Sequence, residues 1–169
     1  MVLKRWTSRV LLVDERDRLL LLCGRDPRKP GARWWFTVGG GVEHGEDYVQ
    51  AAVREVREET ALSLPAERLS ALLWTRRSLL TVDGQRSDQY EEYRLARVTA
   101  AEADSVRIDT DEACYGHRWW AAEELAATPE AVRPKGMASH LARVLTATAG
   151  PRPEPVLHLG DFDEDTDPA

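Results

Sequence analysis

Apolar and polar residues alternate along this chain in two rhythms, one of strands and one of helices. Arg5 to Asp14 alternates loosely and contains Val10, Leu11, Leu12 and Val13, a strand pattern. Glu15 to Arg18 reads as a polar turn, and Leu19 to Gly24 as a second apolar strand, so the two form a hairpin. Asp26 to Gly31, with Pro27 and Pro30, is a loop. Arg33 to Val38 is a short aromatic strand running into Gly39, Gly40 and Gly41. The period then becomes helical from about Glu46 to Thr60, and Pro65 bars a long continuation. Leu69 to Val82 and Gln89 to Val98 are strand-rich and joined across Asp83-Gly84, a dipeptide suited to a tight turn. Arg118 to Ala121 is a further short strand, and Glu123 to Ala127 begins helical. Gly136 to Ala147 is a second substantial helix, with Met137, Leu141, Val144 and Leu145 on one side. Pro151, Pro153 and Pro155 then end regular structure. This mixture predicts an α/β fold, a central mixed sheet flanked by helices, without internal repeats.

The length of 169 residues and apolar fraction of 43% fit one core-bearing domain, residues 1–150. The net charge of −6 is unevenly spread. Residues 151–169 set Arg152 against Glu154, Asp161, Asp163, Glu164, Asp165 and Asp167, a net −5, which leaves −1 for the rest. This acidic, proline-containing tail reads as extended or disordered and solvated. The alternative is a tail that mimics a phosphate chain and guards a site. A neutral body lacks the basic stripe of a duplex-binding protein. The longest apolar run, Leu19 to Cys23, is strand-sized, so no membrane span is expected. Met1 to Thr7 leads into charged sequence with no signal-peptide core, and Cys23 and Cys114 are too few for a disulfide framework. A cytoplasmic location follows, with reduced thiols.

The chemistry concentrates in Gly39 to Leu62, GGGVEHGEDYVQAAVREVREETAL. On a helical wheel Val49, Ala52, Val53, Val56 and Thr60 form the face to be buried. Glu55, Glu58 and Glu59 point away from it, stacked at i, i+3 and i+4. Like charges at that spacing repel. Arg54 and Arg57 offset part of the repulsion, and a divalent cation bound by oxygen ligands would offset the rest. The plain reading is a solvated helix face laced with Arg–Glu pairs. The preceding glycines shift the balance, because they let backbone groups approach a ligand beside a helix N-terminus that favours anions.

The spacing resembles the Nudix box, G-x5-E-x7-R-E-U-x-E-E-x-G-U with U aliphatic. Gly40 takes the first glycine, Glu46 the first acidic position, and Arg54 and Glu55 the central pair. Val56, Glu58, Glu59 and Leu62 complete the match. Ala61 stands where the family has a glycine, in a left-handed helix exit that costs alanine about 1–2 kcal/mol. Val38 replaces a proline common before the glycines. The likeness implies an α/β/α sandwich, the Nudix fold, over roughly the first 150 residues. It implies a Mg²⁺- or Mn²⁺-dependent pyrophosphohydrolase that cleaves a phosphoanhydride bond in a nucleoside diphosphate linked to another moiety. Glu55, Glu58, Glu59 and the Gly39 carbonyl would hold the metal, with Arg54 orienting Glu46 or Glu55. The glycines, Gly39 to Gly41, would meet the substrate.

For a general base, Glu112 and Glu92 are the candidates outside the box, and the box itself is a third source. Trp34, Trp35, Trp74, Trp119 and Trp120 are candidates for stacking on a base, although aromatic residues are more often strand filler. Arg25, Arg28, Lys29, Arg76 and Arg77 are candidates for phosphate contacts, and His44 lies in the glycine-rich loop. The expected partner is a small nucleotide, without duplex nucleic acid or membrane; a homodimer is left open. The rival reading is a domain that senses a nucleotide without cutting it, but sensors usually lose box glutamates and this chain keeps them. An isomerase on a related fold would need cysteine or histidine chemistry that two scattered cysteines do not offer.

Overall fold

Val10, Leu11, Leu12 and Val13 are all fully buried, as are Leu19 to Leu22. Consecutive strand residues point to opposite faces, so both faces of this sheet must be covered. The computed structural model, which describes residues 1–29, 31–148 and 155–167, shows how. Strands β1 (Leu3–Val13), β2 (Leu19–Arg25), β3 (Arg33–Gly41), β4 (Trp74–Val82), β5 (Gln85–Arg97), β6 (His117–Trp120) and β8 (Leu157–Asp163) lie in the order β6-β2-β3-β1-β5-β4-β8. The two-residue β7 (Ala131–Val132) pairs with β3. Parallel and antiparallel pairings mix: β1 runs parallel to β5 but antiparallel to β3. Helix α1 (Tyr48–Thr60) covers one face through Ala52 and Val56, which join Val10, Leu12, Leu20, Leu22 and Val38. Helix α4 (Met137–Thr148) covers the other through Met137, Leu141 and Val144, which join Leu11, Val13, Leu19, Leu21 and Trp120. The result is an α/β/α sandwich, as the patterning and the box predict. No described helix is long and apolar enough to cross a membrane.

Several boundaries differ from the sequence reading. β1 and β2 are less a hairpin than expected: they pair only at Val13 and Leu19, and β3 otherwise lies between them. The segment from Leu69 becomes a strand only at Trp74, and the glycines of residues 39–41 continue β3 rather than forming a loop. Asp83 and Gly84 do make the tight turn between β4 and β5, with φ of 49° and 75°. Short helices α2 (Ala100–Ser105) and α3 (Ala122–Ala127) flank β6, and α2 carries a Thr99–Glu102 capping box.

Regular structure does not end at the prolines. β8 lies parallel to β4, with Leu157 opposite Trp74 and Asp163 opposite Leu79. Two forces hold it there. Leu157 and Leu159 pack on the cluster around Trp74, and the acids that read as solvated meet cations and donors on β4 and β5. Arg86 donates to Asp163 at 2.6 Å and to Asp165 at 2.7 Å. The Thr81 hydroxyl donates to Asp165 at 2.7 Å. The tail residues 151–154, 168 and 169 lie outside the described residues.

Ala61 closes α1 with φ 64° and ψ 7°, its N–H donating to the Arg57 carbonyl at 3.0 Å. An L-residue is strained there and glycine is not. Ala61→Gly should therefore raise the unfolding free energy in urea by about 0.5–1 kcal/mol, net of the entropy glycine adds to the unfolded chain. A lower midpoint would show that the left-handed cap is not strained.

Candidate active site

Asp47 caps α1 in a box with Gln50, each side chain satisfying the other's backbone N–H, at 2.7 and 2.9 Å. One turn later Arg54 gathers the surrounding acids. Its guanidinium donates to Glu46 Oε1 and Oε2 at 2.8 and 2.9 Å, Glu55 Oε1 at 2.8 Å, Glu58 Oε2 at 3.1 Å and the Gly41 carbonyl at 2.8 Å. Arg54 thus ties the helix to the end of β3. These partners, Glu46 foremost, hold it more firmly protonated than a free arginine.

Glu59 departs from the helical-wheel expectation. It is 6% exposed, on the buried side of α1, whereas Val49 and Val53 are only half-buried. The buried face of α1 runs through Ala51, Ala52, Val56, Glu59 and Thr60, and the bare end of β3 leaves a polar niche between helix and strand. The Gly39 N–H donates to Glu59 Oε2 at 3.3 Å. A Cβ on Gly40 would fall 2.5 Å from Glu55 Oε1, so the Glu55 carboxylate lies directly on the strand backbone. Gly39 has φ 136°, a backbone conformation closed to other residues at low cost. Burial raises the Glu59 pKa to about 8, despite the Arg9 charge and the Gly39 hydrogen bond. Burial pushes Glu55 up as well, against the pull of Arg54.

Two desolvated carboxylates side by side, beside a bare backbone, are the donor set a hard divalent cation takes. Glu58 is turned to Arg54 and its side chain is 54% exposed. Accordingly, no three acidic, histidine or cysteine side chains converge on one point among the described residues. Glu55 and Glu59 fit a cation as they stand, and Glu58 fits once its single contact with Arg54 is given up. The Gly39 carbonyl accepts from Arg9 Nη1 at 3.1 Å, which leaves it a second lone pair.

Beyond Gly39 and Gly40 a cavity of about 200 Å³ opens over the sheet, and Glu112 sits on its wall. Arg5, Arg9, Arg25, Arg76 and Arg133 contribute cations to it, and Trp34, Phe36 and Tyr93 contribute rings. The box glutamates themselves do not line this cavity but adjoin it through the glycines. Of the candidate bases, Glu112 reaches the cavity and lies close enough to raise the Glu59 pKa further. Glu92 does not: it faces the α1 side, paired with Arg94 at 3.0 Å. Of the candidate aromatic contacts, Trp119 packs into the core beside α1, while Trp34 lines the cavity. Arg25 and Arg76 line it too, but Arg28 pairs with Asp83, Lys29 with Asp165 and Arg77 with Asp88. His44 is exposed on the loop before α1. The sequence reading does not single out Arg9, Glu91 or Arg133, and it touches Glu164 only through the alternative of a tail that mimics a phosphate chain and guards a site. The available signal was a charged residue at an inward position of an alternating strand, as Arg9 is beside Thr7 and Leu11.

The family model for the NUDIX domain matches residues 3–141. Among curated proteins, dihydroneopterin triphosphate diphosphatase of Escherichia coli K12 is 38% identical over 73 residues, 42% of this chain and 46% of that protein. The chain thus spans about half the length of that relative. Among solved structures, the mutator MutT protein of Bacillus halodurans superposes with a TM-score of 0.62 at 19% identity, covering 96% of this chain and 93% of that one. The NUDIX domain of Shewanella oneidensis NrtR, solved with ADP ribose, superposes with a TM-score of 0.60 at 18% identity, covering 86% and 90%. At such identities the superpositions speak for the fold alone.

Proposed function

Since this chain belongs to the Nudix family, we propose that it is a Mg²⁺- or Mn²⁺-dependent hydrolase, which cleaves a phosphoanhydride bond in a nucleoside diphosphate linked to another moiety. One observation carries the reading: buried Glu59 and half-buried Glu55 meet at the Gly39–Gly40 backbone, on the threshold of a cavity lined by arginines and Trp34. Glu55, Glu58, Glu59 and the Gly39 carbonyl are the residues to hold the metal. When bound, it supplies charge neutralisation on the diphosphate and a more acidic water. The remaining work falls to the chain's own groups. Arg54 keeps Glu46 and Glu55 oriented. Arg9, Arg25 and Arg5 at the cavity wall draw in the phosphates. Glu112, on the cavity wall, is the residue we assign to take the proton of the attacking water, with a box glutamate as the other source of the base. Trp34 and Phe36 offer apolar surface to the part of the substrate that is not phosphate.

The diphosphatase relative acts, by its name, on dihydroneopterin triphosphate, and the NUDIX domain of NrtR is solved in complex with ADP ribose. Both support a nucleotide-like substrate for the present chain. Incubation with sugar, dinucleoside and triphosphate derivatives in Mg²⁺ or Mn²⁺ tests the reading. Phosphate, diphosphate or nucleoside monophosphate should be released from at least one class, and EDTA should abolish the release. Binding without release in either metal would make the protein a nucleotide sensor instead.

A further inference from the structure

The cationic end of the cavity already holds an anion, and the chain supplies it. Glu164 follows β8 directly; its backbone N–H donates to the Leu79 carbonyl at 2.8 Å and its side chain is 2% exposed. One carboxylate oxygen lies against Arg76 Nη2, and the other is 3.5 Å from Arg133 Nε. Arg76 is itself 3% exposed and donates to Glu91 Oε2 at 2.8 Å, while its Nε has no hydrogen-bond partner among the described residues. Arg133 lies over the Trp34 ring at 4.4 Å, and Phe162 lies under Arg76 at 5.6 Å. Asp163 and Asp165, on either side of Glu164, are fixed by Arg86, so the carboxylate is held in the wall.

We propose that Glu164 is a specificity-determining residue: it occupies the anion-binding capacity of Arg76 and Arg133, so that the cavity accepts a substrate whose moiety beyond the diphosphate is uncharged. Buried Arg76 and half-buried Arg133, facing an aromatic wall, would otherwise form a second phosphate site, of the kind that favours substrates phosphorylated at both ends. With Glu164 in place, an anion arriving there meets a carboxylate at close range in a poorly solvated pocket, which disfavours it strongly. The remaining lone pairs of Glu164 and Glu91 favour instead a planar ring bearing N–H donors, seated against Trp34. Phosphate binding is thereby confined to the Arg5, Arg9 and Arg25 end, next to Gly39 and Gly40. This inference rests on the hydrolase reading for its substrate, though not for its anion chemistry.

The test uses the full chain with Glu164→Gln, which keeps the volume and an acceptor for Arg76 but removes the charge. In EDTA, inorganic pyrophosphate titrated by calorimetry should bind E164Q about tenfold more tightly than wild type, one charge-assisted contact's worth. In Mg²⁺, the kcat/KM ratio for a nucleotide substrate with and without an added phosphate on its distal moiety should move about tenfold toward the phosphorylated one, through KM. Unchanged pyrophosphate affinity and an unchanged ratio would overturn the proposal. If no substrate is turned over by wild type but the pyrophosphate gain appears, the anion assignment stands and the hydrolase reading fails. Should E164Q not fold, Glu164→Asp carries the test: shortening the side chain releases Arg133 and should tighten pyrophosphate binding about threefold, an unchanged affinity counting against the proposal.

Discussion

Glu59→Gln is expected to lower turnover of the preferred nucleotide substrate on the order of 10³-fold, without loss of stability. The expectation follows from where the side chain lies. Its carboxylate is buried, has one 3.3 Å hydrogen bond from Gly39, and is otherwise uncompensated by donors. An amide of the same shape keeps an oxygen for Gly39 and has no charge to desolvate, so the urea midpoint in EDTA should stay the same or rise. An amide is also a far poorer ligand for a hard cation, so the Mg²⁺ concentration for half-maximal activity should increase. Wild-type turnover in this variant would dissociate the niche from catalysis. A collapse in stability would assign Glu59 a purely structural role.

Arg76→Met is expected to cost about 3–5 kcal/mol of unfolding free energy, because it strands carboxylates in the interior rather than because it removes a favourable contact. Glu164 would keep only Arg133, at 3.5 Å. Glu91 would keep Arg9 at 3.3 Å and the Tyr93 hydroxyl at 2.8 Å. The double variant Arg76→Met/Glu164→Gln should therefore recover about half of the loss, a coupling measurable by a thermodynamic cycle. Additive losses would mean that Glu164 does not depend on Arg76. The pH dependence has a definite sign. Burial works to raise the Glu91 pKa, but Arg9 and Arg76 outweigh it and hold the carboxyl below its ordinary 4.5. A depressed folded-state value contributes stability that is present above pH 4.5 and is lost as the pH falls through the folded value. Without Arg76 that acid-side loss should shrink, and the stability curve between pH 5 and 3 should flatten.

Much of this fold is legible in the chain because its strands carry strong local signals. The continuous apolar runs at Val10–Val13 and Leu19–Leu22 require a doubly covered sheet, and Asp83-Gly84 fixes the β4–β5 turn. The resemblance to the box implies that Arg54 orients Glu46 or Glu55, and its guanidinium meets both, with Glu58 in addition. What escapes the sequence is what depends on a distant partner. A helical wheel scores Glu59 as solvent-facing since it weighs side chains only, whereas the space that buries Glu59 comes from two glycines on another element. Arg76 is one basic candidate among five and Glu164 one acid among six in the tail, and nothing links the two until β4 and β8 are paired. The Leu157–Leu159 alternation that makes β8 a strand is short and sits among acids and prolines, a composition normally read as unstructured.

The longest strand pairing among the described residues also has a kinetic consequence. β1 and β5 run parallel over eleven matched positions, from Leu3 beside Ser87 to Val13 beside Arg97. Their partners lie more than eighty residues apart in sequence, so the middle of the sheet cannot zip up until about half the chain is available. Until then the valine and leucine run of β1 has no neighbour on that edge and is a sticky surface. Folding should accordingly be slow for a domain of this size, with yields that fall as protein concentration rises during dilution from denaturant.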